Sequence, residues 1–534
     1  MSHAPDAGAA PYPRIALSLS GGGYRAAAFH LGVLDVLERA GLLSRVAILS
    51  TVSGGTLTGC RYAVSAAERE PFDAFFASML EFLCRTNVVA RAFADLARTR
   101  RSDDSRSLSV ISAAADVYAS EKFLGKRRFG QLLEARTHLE EISLNATELQ
   151  SGIAFRFQAS RNAAARIGNG NVFIDPSLAK ELRLADIVAA SSCFPGAFEP
   201  IGFPDDFALP SGRLDPARRG ELSSRFPDLL PLMDGGIYDN QGIDGLLLAD
   251  ERSEEKADLF IVSDTQQRHE SLYTLRPPEE ANGPRLRTLF RGAQAAFAVL
   301  AISAVALGIE LVRSLSRHRF GIAEVFTQLL PMLVTAAIAA AVPLLWRAVH
   351  RAVARAAPSV SSGFWKGVAS LRFSHALQLV TVRLQSLFAI TSDVFMKRIR
   401  SLGYDRLLRN PAYTDRSIAN LIYDLQRAQA ARKPGLTPSD AQLEVVRRAV
   451  EVKTQLWFDR GLQDALDLVA CGQSTTCFNL LEFMEDDPRS RHSAPFAAIA
   501  AMWSRLQADP RCLASARLPR AAAPQEAAAA SRTA

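Results

Sequence analysis

"RIALSLSGGGYRAAAFHLGVLDVLERAGLLSRVAILSTVSGGTLTGC" (residues 14–60) decides how the rest of the chain is read. Residues 14–20 run apolar, as a buried strand does. After the glycine triplet, Phe29, Val33, Val36 and Ala40 recur at helical spacing, and Gly41 stands where a helix C-terminus favours a left-handed residue. "RVAILSTV" reads as a second strand, and "GGTLTGC" opens a second helix. Strand, helix, strand and helix within about fifty residues predict a parallel α/β sheet.

Both turns carry chemistry. "GGGYRA" (residues 21–26) formally satisfies G-x-G-x-x-A, a dinucleotide fingerprint. That fingerprint needs a carboxylate at the end of the second strand to hold a ribose hydroxyl. The second strand ends instead in Ser50, Thr51 and Ser53, and no Gly-Lys-Ser/Thr follows the glycines to make a P-loop. A glycine triplet opening a helix can instead present backbone N–H groups to an anion or a developing oxyanion. Ser53 lies on the neighbouring strand-to-helix turn, where a nucleophile elbow would read G-x-S-x-G. Thr51 occupies the place of the first elbow glycine, while Gly54 and Gly55 keep the other side small.

A serine needs a base. Among the eight histidines, His30 falls inside the first helix, where a packing role is expected, and His269 and His318 lie in charged or loop stretches. Asp234, in "LLPLMDGGIYDNQ", follows an apolar run and precedes two glycines that allow close backbone approach. Desolvation beside the serine would raise its pKa and make it a better base. On its own, D-G-G is also a common turn.

Taken in order, "SLSGGGYRAAAFHLGVLDVLERAGL", "STVSGGTLTG", "NATEL", "AASSCFPGAFEPI" and "MDGGIYDNQGID" resemble the patatin-like phospholipase family over residues 14–265, with a return at "SDVFMKRIRSLGYDRL" (392–407). The resemblance implies a three-layer patatin-like α/β fold with a mostly parallel central sheet. It also implies a Ser53–Asp234 dyad without a catalytic histidine, and an oxyanion hole from Gly21, Gly22 and Gly23, with Gly54 beside them. Arg25 matches the arginine that follows the family's glycines, in a loop-supporting role. The implied reaction is hydrolysis of lipid acyl esters through an acyl-serine, with no cofactor and no metal. An esterase acting on non-lipid substrates and a silent lipid-binding scaffold are the competing readings.

Composition adds a membrane. The 534 residues are 48% hydrophobic and carry a formal net charge of +7, which suits an anionic partner. No finger spacing or RNP-like run points to nucleic acid. Six scattered cysteines form no C-x-x-C, and the N-terminus has no signal-peptide pattern. Residues 292–312 and 325–346 are apolar enough to span a bilayer, making 286–355 an inserted hydrophobic helical hairpin. Flanking arginines (Arg285, Arg287, Arg291, Arg347, Arg351, Arg355) outnumber those of the connecting loop, which predicts a catalytic domain on the cytoplasmic side. The expected organisation is a disordered start (1–13), a catalytic domain (14–275), the hairpin, a helical C-terminal region (360–515) whose start returns to the catalytic domain, and a disordered tail (516–534). Residues from about 85 to 130 read as a charged, mobile insertion. Oligomeric state is left open.

Overall fold

The computed structural model describes residues 11–98, 106–210, 230–265, 282–316, 330–337, 370–390, 394–431 and 435–518, with isolated helical positions between 344 and 367. Two compact units divide the chain: residues 1–270 with 395–534, and residues 271–394.

The first unit is built on an eight-stranded sheet. Its strands are β1 (Ile15–Leu19), β2 (Val46–Val52), β3 (Glu141–Glu148), β4 (Ile153–Ser160), β5 (Ile201–Phe203), β6 (Leu230–Asp234), β7 (Leu259–Asp264) and β8 (Ser417–Leu421). The order is β5-β6-β3-β2-β1-β7-β8, with β4 also paired to β3. The run from β3 through β2, β1 and β7 to β8 is parallel, whereas β4, β5 and β6 pair antiparallel. Alternate residues of the central strands face opposite layers. Ile15, Leu17, Leu19, Leu259 and Ile261 join the larger core with helices α1 (Gly23–Arg39) and α2 (Gly54–Glu68). Ala16, Phe260 and Val262 face the other way, toward Ile243, Leu246, Leu247 and Leu407. A sheet buried on both faces needs such apolar runs, and the result is three layers.

The C-terminal region completes the larger core. The helix Leu462–Asp486 crosses α1 where two glycines meet: a Cβ at Gly32 would lie 2.1 Å from Val469 O, and one at Gly472 would lie 2.1 Å from Phe29 O. Beside the crossing, buried Asp35 accepts from Gln473 Nε2 at 2.6 Å and Arg517 Nε at 2.8 Å. Each partner satisfies an acceptor that burial would otherwise leave costly.

Three expectations change. Within the C-terminal region expected to be helical (360–515), the run "DRSIANLIYDLQRAQAA" (415–431) splits into β8 and the helix Asp424–Ala431. β8 covers an edge of β7 that would otherwise present unpaired backbone groups, and five residues are too few for periodicity to separate strand from helix. The stretch expected to be a mobile insertion contains the amphipathic helices Val88–Arg98 and Val110–Tyr118, which pack together; residues 99–105 lie outside the described residues. The start expected to be disordered through residue 13 is ordered at Tyr12, which is buried with its hydroxyl donating toward Asp487 Oδ2 at 2.9 Å. The tail beyond residue 518 and residues 1–10 lie outside the described residues.

The second unit carries the helix Leu286–Ser316, 31 residues or about 46 Å long at 1.5 Å per residue. Its Leu286–Glu310 portion is long and apolar enough to cross a membrane, and none of that stretch is buried. Among the described residues it alone meets that criterion. Of the second expected span, residues 330–337 are helical and most of the remainder lies outside the described residues. The helix Phe373–Ala389 also exposes Leu377, Val380, Leu384 and Leu387. The two helices are joined at their N-terminal ends, where Leu286 N donates to Leu371 O (2.9 Å) and Phe373 N to Pro284 O (3.0 Å).

The glycine crossing predicts a stability effect. Gly472→Val places a side chain against backbone that cannot swing away and should cost about 3 kcal/mol or more, lowering the urea midpoint. Gly170→Ala, with nothing within 4 Å of the added carbon, should leave the midpoint unchanged.

Candidate active site

β3 brings the two halves of the site together. β2 runs parallel to β3 and its last pair is Val52 with Asn145. β6 runs antiparallel, and its last residue, Asp234, pairs with Ala146. Two strands therefore end on consecutive residues of β3, which sets Ser53, one residue past β2, beside Asp234.

Ser53 has φ 51° and ψ −119°, unusual for a non-glycine residue, and is nearly buried. Such backbone costs about 1–3 kcal/mol and persists only where its surroundings fix it. Ser191 Oγ accepts from Ser53 N (3.0 Å) and donates to Asn145 O (2.6 Å). Asn145 Nδ2 in turn donates to Thr51 O (2.9 Å) and Ser50 Oγ (2.9 Å), clamping the end of β2. The "NATEL" and "AASSC" stretches thus supply the braces of the elbow, residues that sequence reasoning quoted without assigning them a task.

Thr51 is accommodated from the other side. A Cβ at Gly59, one turn into α2, would lie 2.3 Å from Thr51 Cγ2. The space that an elbow glycine would give on the strand is provided by a glycine on the helix. Thr51 Oγ1 is also satisfied, accepting from Thr56 Oγ1 at 3.0 Å.

Asp234 is fully enclosed. Its Oδ1 accepts from Gly236 N at 2.7 Å, and its backbone is held by Cys193 O and Thr147 Oγ1. Oδ2 has no hydrogen bond of regular geometry. Burial pushes the carboxyl up to about 6, against the opposing effects of the Ser53 hydroxyl and Gly236 N–H. Ser53 is thus near enough to act on the carboxylate without a hydrogen bond of regular geometry to it.

The glycine loop lies against the serine: a Cβ on Gly21 would be 3.1 Å from Ser53 Cβ. Gly21 does not offer the N–H expected of it, because that group donates to Asn240 O at 2.9 Å, tying the loop to the turn after Asp234. Gly23, at φ 58°, begins α1, and Gly54 begins α2. Their N–H groups and that of Gly22 have no partner among the described residues, as first-turn donors of helices do not. A Cβ on Gly54 would lie 2.6 Å from Gly23 N, so the two helix starts touch. Arg25 is buried, donates Nη1 to Val452 O (3.2 Å), and is lowered to about 10 by desolvation. Gln455 O accepts from Tyr24 N (2.9 Å), so residues 452–455 strap the first turn of α1, a contact with no local sequence signal. His30 packs as expected: buried, lowered to about 4 by desolvation, and hydrogen-bonded to Ser20 O and Ser263 Oγ at 3.0 Å each. A cleft of about 500 Å³, lined by Tyr238, Asp239, Ile243, Leu402 and Arg406 among others, includes neither Ser53 nor Asp234.

Residues 17–247 match the family model described as Patatin-like phospholipase, so the chain carries a patatin-like phospholipase domain over that range. Among solved structures, human GIVD cytosolic phospholipase A2 is similar at 14% identity, covering 47% of this chain and 45% of that one, with a TM-score of 0.30. VipD from Legionella pneumophila is similar at 12% identity, covering 93% of this chain and 91% of that one, with a TM-score of 0.22. The chain thus spans under half the length of the phospholipase A2 chain it matches. No curated protein matches significantly.

The Thr51–Gly59 contact is testable. Gly59→Ala should destabilise the protein by about 1–3 kcal/mol through overpacking. Adding Thr51→Ala, which removes the obstructing methyl, should recover part of that loss, seen as a favourable coupling energy in a double-mutant cycle of urea midpoints.

Proposed function

We propose that the protein is a membrane-attached serine acyl hydrolase that cleaves fatty-acyl esters of phospholipids or related lipids through a Ser53–Asp234 dyad. The observation that carries this reading is the meeting of a strained strand-to-helix serine with a buried aspartate whose Oδ2 is unpartnered, against two abutting helix N-termini with free N–H groups. Ser53 Oγ attacks the ester carbonyl carbon as Asp234 takes its proton. The carbonyl oxygen becomes an oxyanion held by N–H groups of Gly22, Gly23 and Gly54; one such donor is worth about 3 kcal/mol. Collapse expels the lysolipid alcohol, which receives the proton from Asp234. Water then attacks acyl-Ser53, giving its proton to Asp234, which returns it to Ser53 as the fatty acid leaves. Gly21 and Arg25 hold the loop in shape.

The exposed apolar helix Leu286–Ser316 supports attachment to a bilayer, with residues 325–346 as the second arm of a hairpin and the catalytic unit on the cytoplasmic side. Arginines outside the hairpin would each add about 1 kcal/mol of attraction to anionic headgroups. Full-length protein should resist carbonate extraction from membranes, and deletion of residues 286–355 should release it. Release of the intact protein would contradict attachment.

Vesicle hydrolysis tests the chemistry. Wild type should release fatty acid from phospholipid vesicles, and Ser53→Ala and Asp234→Asn should each lose at least about 1,000-fold in kcat. Equal activity of the variants would refute the dyad; equal rates on vesicles and soluble short-chain esters would favour the non-lipid esterase reading. Because Asp234 must be ionised to accept the proton, the rate should rise with pH through about 6 and level off above it. The sign for stability is opposite. A carboxyl raised from 3.8 to about 6 by burial destabilises the fold above that range and not below the lower value. Asp234→Asn should therefore raise the melting temperature at pH 8, and the gain should vanish toward pH 4.

A further inference from the structure

A second buried carboxylate lies on the far side of the glycine loop from Asp234. Asp264 ends β7, and its Oδ2 accepts from Arg400 Nε (2.8 Å), Tyr404 OH (3.1 Å) and Gln241 Nε2 (3.3 Å). Arg400 and Tyr404 belong to the helix Phe395–Leu408, the first helix after residues 271–394. Arg25 and His30 also lie within electrostatic reach of this carboxylate, and Tyr423 is hydrogen-bonded to Arg400.

The backbone around this carboxylate holds the glycine loop on both sides. Ser20 N donates to Ser263 O (3.0 Å), and Thr265 N donates to Ser20 Oγ (3.1 Å). Thr265 Oγ1 donates to Gly21 O (3.2 Å). From the opposite direction, Asn240, adjacent to the Asp264 partner Gln241, receives Gly21 N. The two peptide groups flanking Gly21 are thus fixed by Thr265, the chain neighbour of Asp264 itself, and by Asn240, the chain neighbour of its partner Gln241. Arg400, Tyr404 and Gln241 do not enter the reaction described above, yet an enclosed carboxylate that holds them is costly where an apolar side chain would serve packing alone.

We propose that Arg400 and Tyr404 are positioning residues for the glycine loop, acting through Asp264 to hold Gly21 so that the N–H groups of Gly22 and Gly23 meet the oxyanion. The inference rests on the Ser53–Asp234 reading. It makes the turnover rate depend on a helix that joins the domain only after the inserted unit. The rate is lowered without any change in the base, because Asp234 is held by Gly236 and Cys193 and shares no hydrogen bond with Asp264.

The test uses the full chain, p-nitrophenyl butyrate as the soluble substrate and a fluorophosphonate probe for Ser53, with Tyr404→Phe, Arg400→Lys and Arg400→Ala. Losing a hydrogen bond that aligns a donor for the transition state should lower kcat about 3-fold in Tyr404→Phe and about 10-fold or more in the Arg400 variants. KM should stay within about twofold, and the limb near pH 6 should not move while its plateau falls. Probe labelling should slow in parallel. Should Arg400→Ala fail to fold, Tyr404→Phe, which removes one hydroxyl, decides the matter. Wild-type kcat and labelling in folded Tyr404→Phe and Arg400→Lys, or a loss confined to KM, would overturn the inference while leaving the dyad intact. A wild type that neither labels nor turns over would overturn the dyad and the inference together.

Discussion

The site depends on one backbone arrangement: β2 and β6 approach β3 from opposite directions and stop on adjacent residues, Asn145 and Ala146. Hydrogen-bond pairing fixes both end points. A one-residue slip of either strand would turn its side chains to the opposite face. Asn145 guards against such a slip, since its side chain grips the last peptide of β2 while its carbonyl receives Ser191. The two strand ends set the serine beside the aspartate, as the proposed dyad requires.

Around that junction the molecule spends stability on reactivity. Ser53 sits in disfavoured backbone, and Asp234 is sealed from water with one oxygen unpartnered. Each is unfavourable alone, and both are fixed by a core in which α1 is clasped between the sheet and the helix Leu462–Asp486. The C-terminal half is therefore part of the catalytic unit, since its residues 452–455 lie on the first turn of α1 and its strand β8 finishes the sheet. Strain of this kind is ordinary at sites that must be organised before substrate arrives.

Much of this was legible in the chain. The alternation of apolar strand and glycine-led helix gave the parallel α/β sheet, the family resemblance implied its three layers, and the glycine triplet, Ser53 and Asp234 stood out by residue type and order. What stayed hidden came from tertiary contact. Gly59 answers Thr51 across a strand–helix interface, eight residues away and with no motif joining the two. β8 forms because β7 has an open edge, a fact absent from its own five residues. The loss of Gly21 N–H to Asn240 depends on a loop more than two hundred residues later. The helices at 88–98 and 110–118 were masked by the charged run between them.

Whether Ser53, Asp234 and the two helix starts form one reaction centre is decided by a structure of the protein after reaction with a fluorophosphonate. A single phosphonyl adduct on Ser53 Oγ is expected, with its phosphoryl oxygen about 2.7–3.1 Å from the N–H groups of Gly23 and Gly54. An adduct on another residue, or a phosphoryl oxygen turned away from both glycines, would contradict it.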